Sequence, residues 1–298
     1  MIKIKQISAN IRRVTCPNPS KFTFKGTNCF IIGQGDLTII DPGPIITGFI
    51  PALVAALAGE TINHILITHT HRDHSPAAKE LQQLSGATTY GAGKHQIYRH
   101  DIENRFEKSG DWQFTPDIKL IDEQVFTCDG LGFKAIQTDG HCFNHISFAL
   151  THINNSATID AENALFVGDH IMGWASTIVA PPDGNMARYM LNLHKLQNTN
   201  YNVFYAAHGA AITQPDDRVA ALIKHRMTRE AEILKCLQNG IGDIVEMVKI
   251  NYPNLDDALI GPAAMSTLSQ LEWLIDKNMV VTDKGLSFEA QYQLANGT

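Results

Sequence analysis

One short segment constrains this chain more than any other. Thr68-His69-Thr70-His71-Arg72-Asp73-His74 places four potential metal ligands (His69, His71, Asp73 and His74) within six positions. It follows Ile62 to Thr68, an apolar, β-branched run short enough to be a buried strand. A fold that uses it must present a loop at the end of that strand, open to a small cavity. In an extended turn His69 and His71 point the same way by the two-residue period, and Asp73 and His74 reach the opposite side. One loop can thus serve two divalent ions. Imidazole and carboxylate suit zinc without any thiolate, and they accept manganese or iron as well.

The surrounding sequence alternates strand-like runs with turn signals. Thr27 to Gly33 and Gly35 to Ile40 flank a Gly-Gln-Gly-Asp turn, and Asp41-Pro42-Gly43 ends the second run. Gly48 to Ala58 suits a helix, and Pro76 to Leu84 suits another, opened by Ser75 as cap. A second set of strands begins near Lys119 and includes Phe126, Leu131 to Thr138 and Ile146 to Thr151. Leu165-Phe166-Val167 then leads into Gly168-Asp169, and Val203 to Ala206 leads into His208-Gly209. The chemically notable residues therefore sit just after strands, where rigid scaffolds carry their sites. After Pro215 the pattern becomes helical, over Val219 to Gln238, Ile241 to Lys249 and Met265 to Lys277, with a hairpin expected around Asp283-Lys284-Gly285. Two units are expected: a core over 1–215, and a winged-helix-like region over 216–298 that could also mediate a homodimer or narrow the mouth of a site.

Composition limits the partners. The chain carries 30 acidic and 24 basic residues, a net charge of −6, which disfavours broad capture of nucleic acid or an anionic membrane. Residues 218–235 are a local exception, with Arg218, Lys224, Arg226, Arg229 and Lys235 against Glu230 and Glu232. That strip could bind phosphate or could be a solvated helix face. No stretch approaches the ~20 apolar residues of a membrane span. The opening Met1-Ile2-Lys3-Ile4-Lys5-Gln6-Ile7 alternates like a strand rather than a signal peptide, so a cytoplasmic protein is expected. Five scattered cysteines without a Cys-x-x-Cys pair argue against disulfides or a thiolate zinc site.

Three further motifs follow in order: Thr138-Asp139-Gly140-His141, Phe166-Val167-Gly168-Asp169 and Ala206-Ala207-His208-Gly209. Together with the His-x-His-x-Asp-His loop they resemble the metallo-β-lactamase fold superfamily. The resemblance implies an α/β fold, a four-layer αββα sandwich. It implies that His69, His71 and His141 hold one metal, that Asp73, His74 and His208 hold a second, and that Asp169 bridges them. It further implies a hydrolase whose nucleophile is a bridging hydroxide, with Asp73 orienting it or passing on its proton. Asp41 matches a position that accepts a hydrogen bond from a ligand imidazole. His145 either supports the site from behind or is a hydrogen-bonded structural histidine. His170 is not expected to be a ligand, and His64, His95, His100, His152, His194 and His225 fall outside the motifs.

The loop after Asp169 is shaped by Gly173, Pro181, Pro182 and Gly184. In it Trp174, Ser176 and Thr177 could face a substrate, or the loop could be a packed connection. With its helical extension the chain looks like the lactamase-beta-2-like branch, which raises small esters, thioesters or lactones as substrates. Endoribonuclease action on single-stranded RNA is the alternative, and a non-catalytic binding or regulatory module is a third. Glyoxalase-II-like activity ranks lower, because that family's helical extension differs from the tail here.

Overall fold

The computed structural model describes residues 2–102, 109–151 and 163–295. His152 lies outside the described residues.

Seven strands pair in chain order to form the first sheet: β1 (Lys5–Ser8), β2 (Ile11–Thr15), β3 (Asn28–Ile32), β4 (Asp36–Ile40), β5 (Thr61–Leu66), β6 (Thr88–Gly91) and β7 (Ile118–Lys119). The pairs from β1 to β4 are antiparallel, whereas β4 with β5, β5 with β6 and β6 with β7 are parallel. Parallel neighbours need crossovers, and helices α1 (Phe49–Ala56) and α2 (Ala78–Ser85) supply two of them. The second sheet runs β12-β11-β10-β9-β8, from β8 (Val125–Cys128), β9 (Leu131–Gln137), β10 (Ile146–Thr151), β11 (Ala164–Gly168) and β12 (Val203–Ala206). Its one parallel pair, β11 with β12, is bridged by α3 (Met186–Lys195).

Side-chain alternation sorts these strands into layers. Phe30, Ile32 and Ile40 meet Phe133, Phe148 and Phe166 in a core between the two sheets. Their neighbours Cys29, Ile31 and Ile39 point the other way, onto Ile50 and Leu53 of α1 and Leu81 of α2. On the far side, Ala149, Leu165 and Phe204 pack on Met186, Tyr189 and Leu193 of α3. The result is the expected αββα order, with each buried aliphatic or aromatic side chain contributing about 1.5–3 kcal/mol. Because both faces of β3 are apolar, hydrophobicity alone leaves its register open. The turn fixes it: Gly33 has φ +101°, and a Cβ there would sit 2.4 Å from the Asp36 carbonyl oxygen.

Beyond the sheets lie α4 (Pro215–Gln238), α5 (Ile244–Asn251), α6 (Asp257–Asp276) and the antiparallel pair β13 (Val280–Thr282) and β14 (Tyr292–Leu294). The first half of α4 buries Val219, Leu222 and Ile223 on the α3 layer. Its second half buries Ile233, Cys236 and Leu237 in a separate cluster with Met247, Leu268, Leu271 and Tyr292. Helix α6 begins earlier than its apolar pattern suggests, because the Asp256 side chain accepts the Ala258 N–H and starts the helix ahead of Pro262. Helix α2 begins later than expected. Ser75 does not cap it, since its hydroxyl donates to Asp111 at 2.7 Å instead. All five cysteines are free and buried. No helix among the described residues is long and apolar enough to cross a membrane.

Candidate metal centre

The site assembles where strands end. The turn after β4 carries Asp41, the loop after β5 carries His69 to His74, and the β9–β10 connection carries His141 and His145. The loops after β11 and β12 carry Asp169 and His208. Backbone bonds lock these loops together: Asp41 N–H donates to Leu66 O, Gly43 N–H to His74 O, and Gly173 N–H to His208 O. Gly168 (φ +50°) is required because a Cβ there would lie 2.5 Å from His145 Nε2.

Three groups of possible ligand atoms converge among the described residues, each within 4.8 Å: the first from His69, His71 and His141, the second from Asp73, His74, Asp169 and His208, and a third from His71, Cys142 and Asp183, which shares His71 with the first. In the first, Nε2 of His69 and Nε2 of His141 each lie 3.0 Å from Nδ1 of His71. In the second, His208 Nε2 lies 3.1 Å from Asp73 Oδ2 and 3.3 Å from Asp169 Oδ1. Asp169 spans both, since its Oδ2 is 3.7 Å from His141 Nε2 and 3.6 Å from His74 Nε2.

Every imidazole is held by its outer nitrogen. His69 Nδ1 lies 3.1 Å from Thr68 Oγ1, whose own proton goes to Asp41 Oδ2 at 2.6 Å. His71 Nε2 lies 2.6 Å from Asp183 Oδ2, and His74 Nδ1 lies 3.0 Å from Asp41 Oδ2. His141 Nδ1 donates to Ile178 O at 2.7 Å, and His208 Nδ1 to Gly26 O at 3.3 Å. At His69 and His141, which burial keeps neutral, the outer contact fixes a tautomer that leaves the inner nitrogen a lone pair. Both face Nδ1 of His71 at 3.0 Å, and one proton on that nitrogen cannot satisfy the two of them, a mismatch that a cation among the three would relieve. His74 Nε2 and Asp169 Oδ1, both buried, make no hydrogen bond. The donor set, all nitrogen and oxygen with no thiolate, fits a pair of divalent cations.

Protonation separates the clusters. Burial pushes His141 down to about 4 and His69 well below the ordinary imidazole value, helped by neighbouring histidines. Burial also opposes charge on His74 and His208, but nearby carboxylates overcome it: Asp73 and Asp169 hold His74 well above its usual value, and Asp169 lifts His208 to about 10. Asp73 and Asp169 are in turn kept far below the carboxylate range, because the charges of His74 and His208 outweigh burial.

The cavity over these groups has a volume of about 380 Å³. Phe22, Met172, Ile178 and Ala180 form apolar walls, with Ser20, Thr23, Ser109 and Arg72 as polar lining and Asp73, Asp169, Asp183 and His208 among the remaining residues.

All seven expected ligands are therefore brought together, and Asp41 and His145 lie directly behind them. His145 supports the site: its Nδ1 contacts Thr138 Oγ1 at 2.9 Å, and its Nε2 accepts the backbone N–H groups of Asp169 and His170 at 3.1 and 3.2 Å. The residues expected at the substrate are placed elsewhere. Thr177 is buried, and its hydroxyl is directed at the carbonyls of Asp169 and His170 at 2.8 and 3.1 Å, so it braces the loop. Trp174 stacks on Phe24 with ring centroids 5.1 Å apart, and Ser176 is exposed; neither is among the residues lining the cavity. Of the basic strip's five residues, the three arginines are engaged within the fold, and Lys224 and Lys235 are exposed. Arg218 donates to Met172 O and Ala175 O, buried Arg226 donates to Thr177 O, and Arg229 pairs with Glu232 at 2.7 Å. These contacts are possible because α4 packs against the loop after Asp169. His170 is buried against Tyr189. Asp183 was not singled out in the sequence; a carboxylate between Pro-Pro and Gly in a loop reads as a turn former, and only its contact with His71 gives it a role.

The family model described as Metallo-beta-lactamase superfamily matches residues 22–208. The lactamase-like protein adaB of Aspergillus niger is 26% identical over 303 residues, covering 95% of this chain and 85% of that protein. The atrochrysone carboxyl ACP thioesterase of Aspergillus terreus is 29% identical over 237 residues, covering 78% of this chain and 65% of that protein. A crystal structure of a metallo-beta-lactamase family protein from Thermus thermophilus superposes with a TM-score of 0.74 at 20% identity, covering 96% of this chain and 98% of the other. A beta-lactamase domain protein from Burkholderia ambifaria gives 0.77 at 18% identity, covering 98% and 93%.

Proposed function

The chain belongs to the metallo-β-lactamase superfamily, and we propose that it is a dinuclear metal-dependent hydrolase acting on an acyl thioester. The observation that carries this is the two ligand clusters sharing Asp169 at the base of an apolar-walled cavity. His69, His71 and His141 would hold one cation, Asp73, His74 and His208 the other, with Asp169 between them. When bound, such a pair, zinc being the preferred identity, supplies a water of lowered pKa and stabilises negative charge on a carbonyl oxygen.

The chain's own groups do the rest. Phe22, Met172, Ile178 and Ala180 take the acyl group and exclude water from it. Asp73 is only partly buried and faces the cavity, so its carboxylate can accept the proton lost by the attacking water. The leaving group decides among ester, lactone, phosphodiester and thioester. An alkoxide must be protonated as it departs, whereas a thiol of pKa about 8.5 can leave as thiolate near neutrality. Among the described residues lining the cavity there is no Lys, Tyr or Cys to act as that acid. The lining therefore suits a thioester best, in keeping with relatives named as thioesterases. Single-stranded RNA is disfavoured because Arg218, Arg226 and Arg229 are engaged within the fold.

The test is a screen of zinc-loaded protein against acyl thioesters, lactones, phosphodiesters and short RNAs. Thioester turnover that falls by about 10²–10⁴ in kcat in Asp73→Ala is the expected result. Cleavage of RNA or phosphodiester with no thioesterase activity would overturn the proposal.

A further inference from the structure

Four of the five clustered imidazoles turn Nε2 inward. His71 alone turns Nδ1, and it is the one whose outer nitrogen meets Asp183. Of the outer contacts, only two are made by carboxylates: Asp41 behind His74 in one cluster and Asp183 behind His71 in the other. The remaining three acceptors are a hydroxyl and two backbone carbonyls.

The two carboxylates differ in how firmly they are held. Asp41 is saturated, accepting Thr68 N–H at 2.8 Å and the Thr68 hydroxyl at 2.6 Å besides His74. Asp183 is 5% exposed, yet its Oδ1 makes no hydrogen bond, and the residue lines the cavity. The desolvation of that carboxylate is offset only through Oδ2, by His71 at 2.6 Å, while Oδ1 has His95 Nε2 no nearer than 3.9 Å. Its placement is nonetheless fixed by the backbone. Gly184 N–H donates to Ala180 O, Asn185 N–H donates to Gly140 O, and a Cβ on Gly184 would lie 2.6 Å from Ala180 N and 3.0 Å from His141 O. The Asp183 loop is thus built onto the His141 loop, so the two move as one.

We propose that Asp183 is the positioning residue of the first cluster: its Oδ2 holds the Nε2–H tautomer of His71 and aims Nδ1 at the point shared with His69 and His141. Asp183 raises the basicity of His71 as a ligand and sets the affinity of that position, as Asp41 does for the other. This rests on the metal-binding reading above, and its test separates the two.

Metal-free protein is titrated with Zn²⁺ against a competing chelator and with Co²⁺ by absorption, for wild type, Asp183→Ala, Asp183→Asn and Asp41→Ala. Wild type takes up two equivalents. Asp183→Ala weakens one equivalent about 10–100-fold and leaves the other unchanged, and Asp183→Asn, which keeps an acceptor oxygen, recovers part of the loss. Asp41→Ala weakens the other equivalent. In proton–nitrogen spectra of the zinc-loaded protein, Asp183→Ala removes one downfield imidazole N–H resonance and leaves the rest. Should Asp41→Ala not fold, the Asp183→Asn and Asp183→Ala comparison decides alone. Two equivalents bound with unaltered affinity in Asp183→Ala would refute the positioning role and leave the hydrolase reading standing. Equal weakening of both equivalents with a lowered melting temperature of the metal-free variant would also refute it, as a general structural defect. A wild type that binds no metal overturns both.

Discussion

The two clusters that meet at Asp169 hold their imidazoles in largely opposite states, His71 being the exception in the first. His69, His71 and His141 form a pocket of nitrogen donors whose carboxylate, Asp183, stands one bond further out. His74 and His208 share their pocket with Asp73 and Asp169, so carboxylates stand among the donors themselves. Burial dominates where no carboxylate is close, which takes His141 down to about 4. Carboxylates at 3.1–3.3 Å outweigh a similar burial at His208, taking it to about 10. A metal entering the first position would meet free lone pairs on His69 and His141 and displace a proton only at His71, which Asp183 lifts against burial, whereas one entering the second would displace protons from both His74 and His208.

The strongest way to break this contrast is to remove the group common to both. Asp169→Ala should reduce zinc uptake at both positions and abolish thioester turnover, exceeding the ~10–100-fold loss that follows removal of a group behind a ligand. His141→Ala should instead spare the second position, and metal analysis after gel filtration checks both. If Asp169→Ala still holds two equivalents, the clusters are not joined through this residue.

A second effect sharpens the comparison through pH. Affinity of the second position should rise with pH, by up to about tenfold per unit for each proton displaced, up to about pH 10 where His208 loses its own proton. The first position should vary with pH more weakly, because burial holds His69 and His141 down and only His71, lifted by Asp183 against burial, keeps a proton to displace. Stability of the metal-free protein runs the opposite way. A raised His208 contributes stability that is fully present below the ordinary imidazole value and is lost as pH rises through about 10. Chelator competition at several pH values and metal-free melting curves read the two effects. Equal pH slopes at both positions would contradict the distinction.

Smaller effects belong to the loop that spans the clusters. Thr177→Val removes the hydroxyl aimed at Asp169 O and should cost about 1 kcal/mol in chemical denaturation, with a modest loss of metal affinity at both positions. Trp174→Ala lies at the exposed rim and should change stability by no more than about 0.5 kcal/mol, with kcat preserved. A large kcat loss there would return Trp174 to the substrate site.

Legibility followed locality. His69 to His74 could be read directly because strand, turn and ligands are contiguous, and the layer order was implied by the family resemblance that the ordered motifs carry. His145 was ambiguous because its value lies in accepting amides of Asp169 and His170, 24 and 25 residues away. Asp183 gave no signal because its partner, His71, is 112 residues distant. The sequence leaves the strip over 218–235 between a phosphate site and a solvated helix face, because helix phase alone cannot say that α4 faces the loop after Asp169. Thr177 and Trp174 were misplaced for the same reason: proximity in sequence to Asp169 does not say which side of the loop faces the cavity.

By itself the sequence determined the His69-to-His74 loop and the strands that present the motifs, since these depend on residue chemistry and short-range periodicity, while His141, Asp169 and His208 joined the donor set through the family resemblance. Tertiary structure decided which nitrogen of each histidine faces inward and which histidines carry charge. It also decided which carboxylate stands behind His71. Each of these is set by contacts of about 3 Å between loops far apart in the chain, where a small displacement breaks a hydrogen bond.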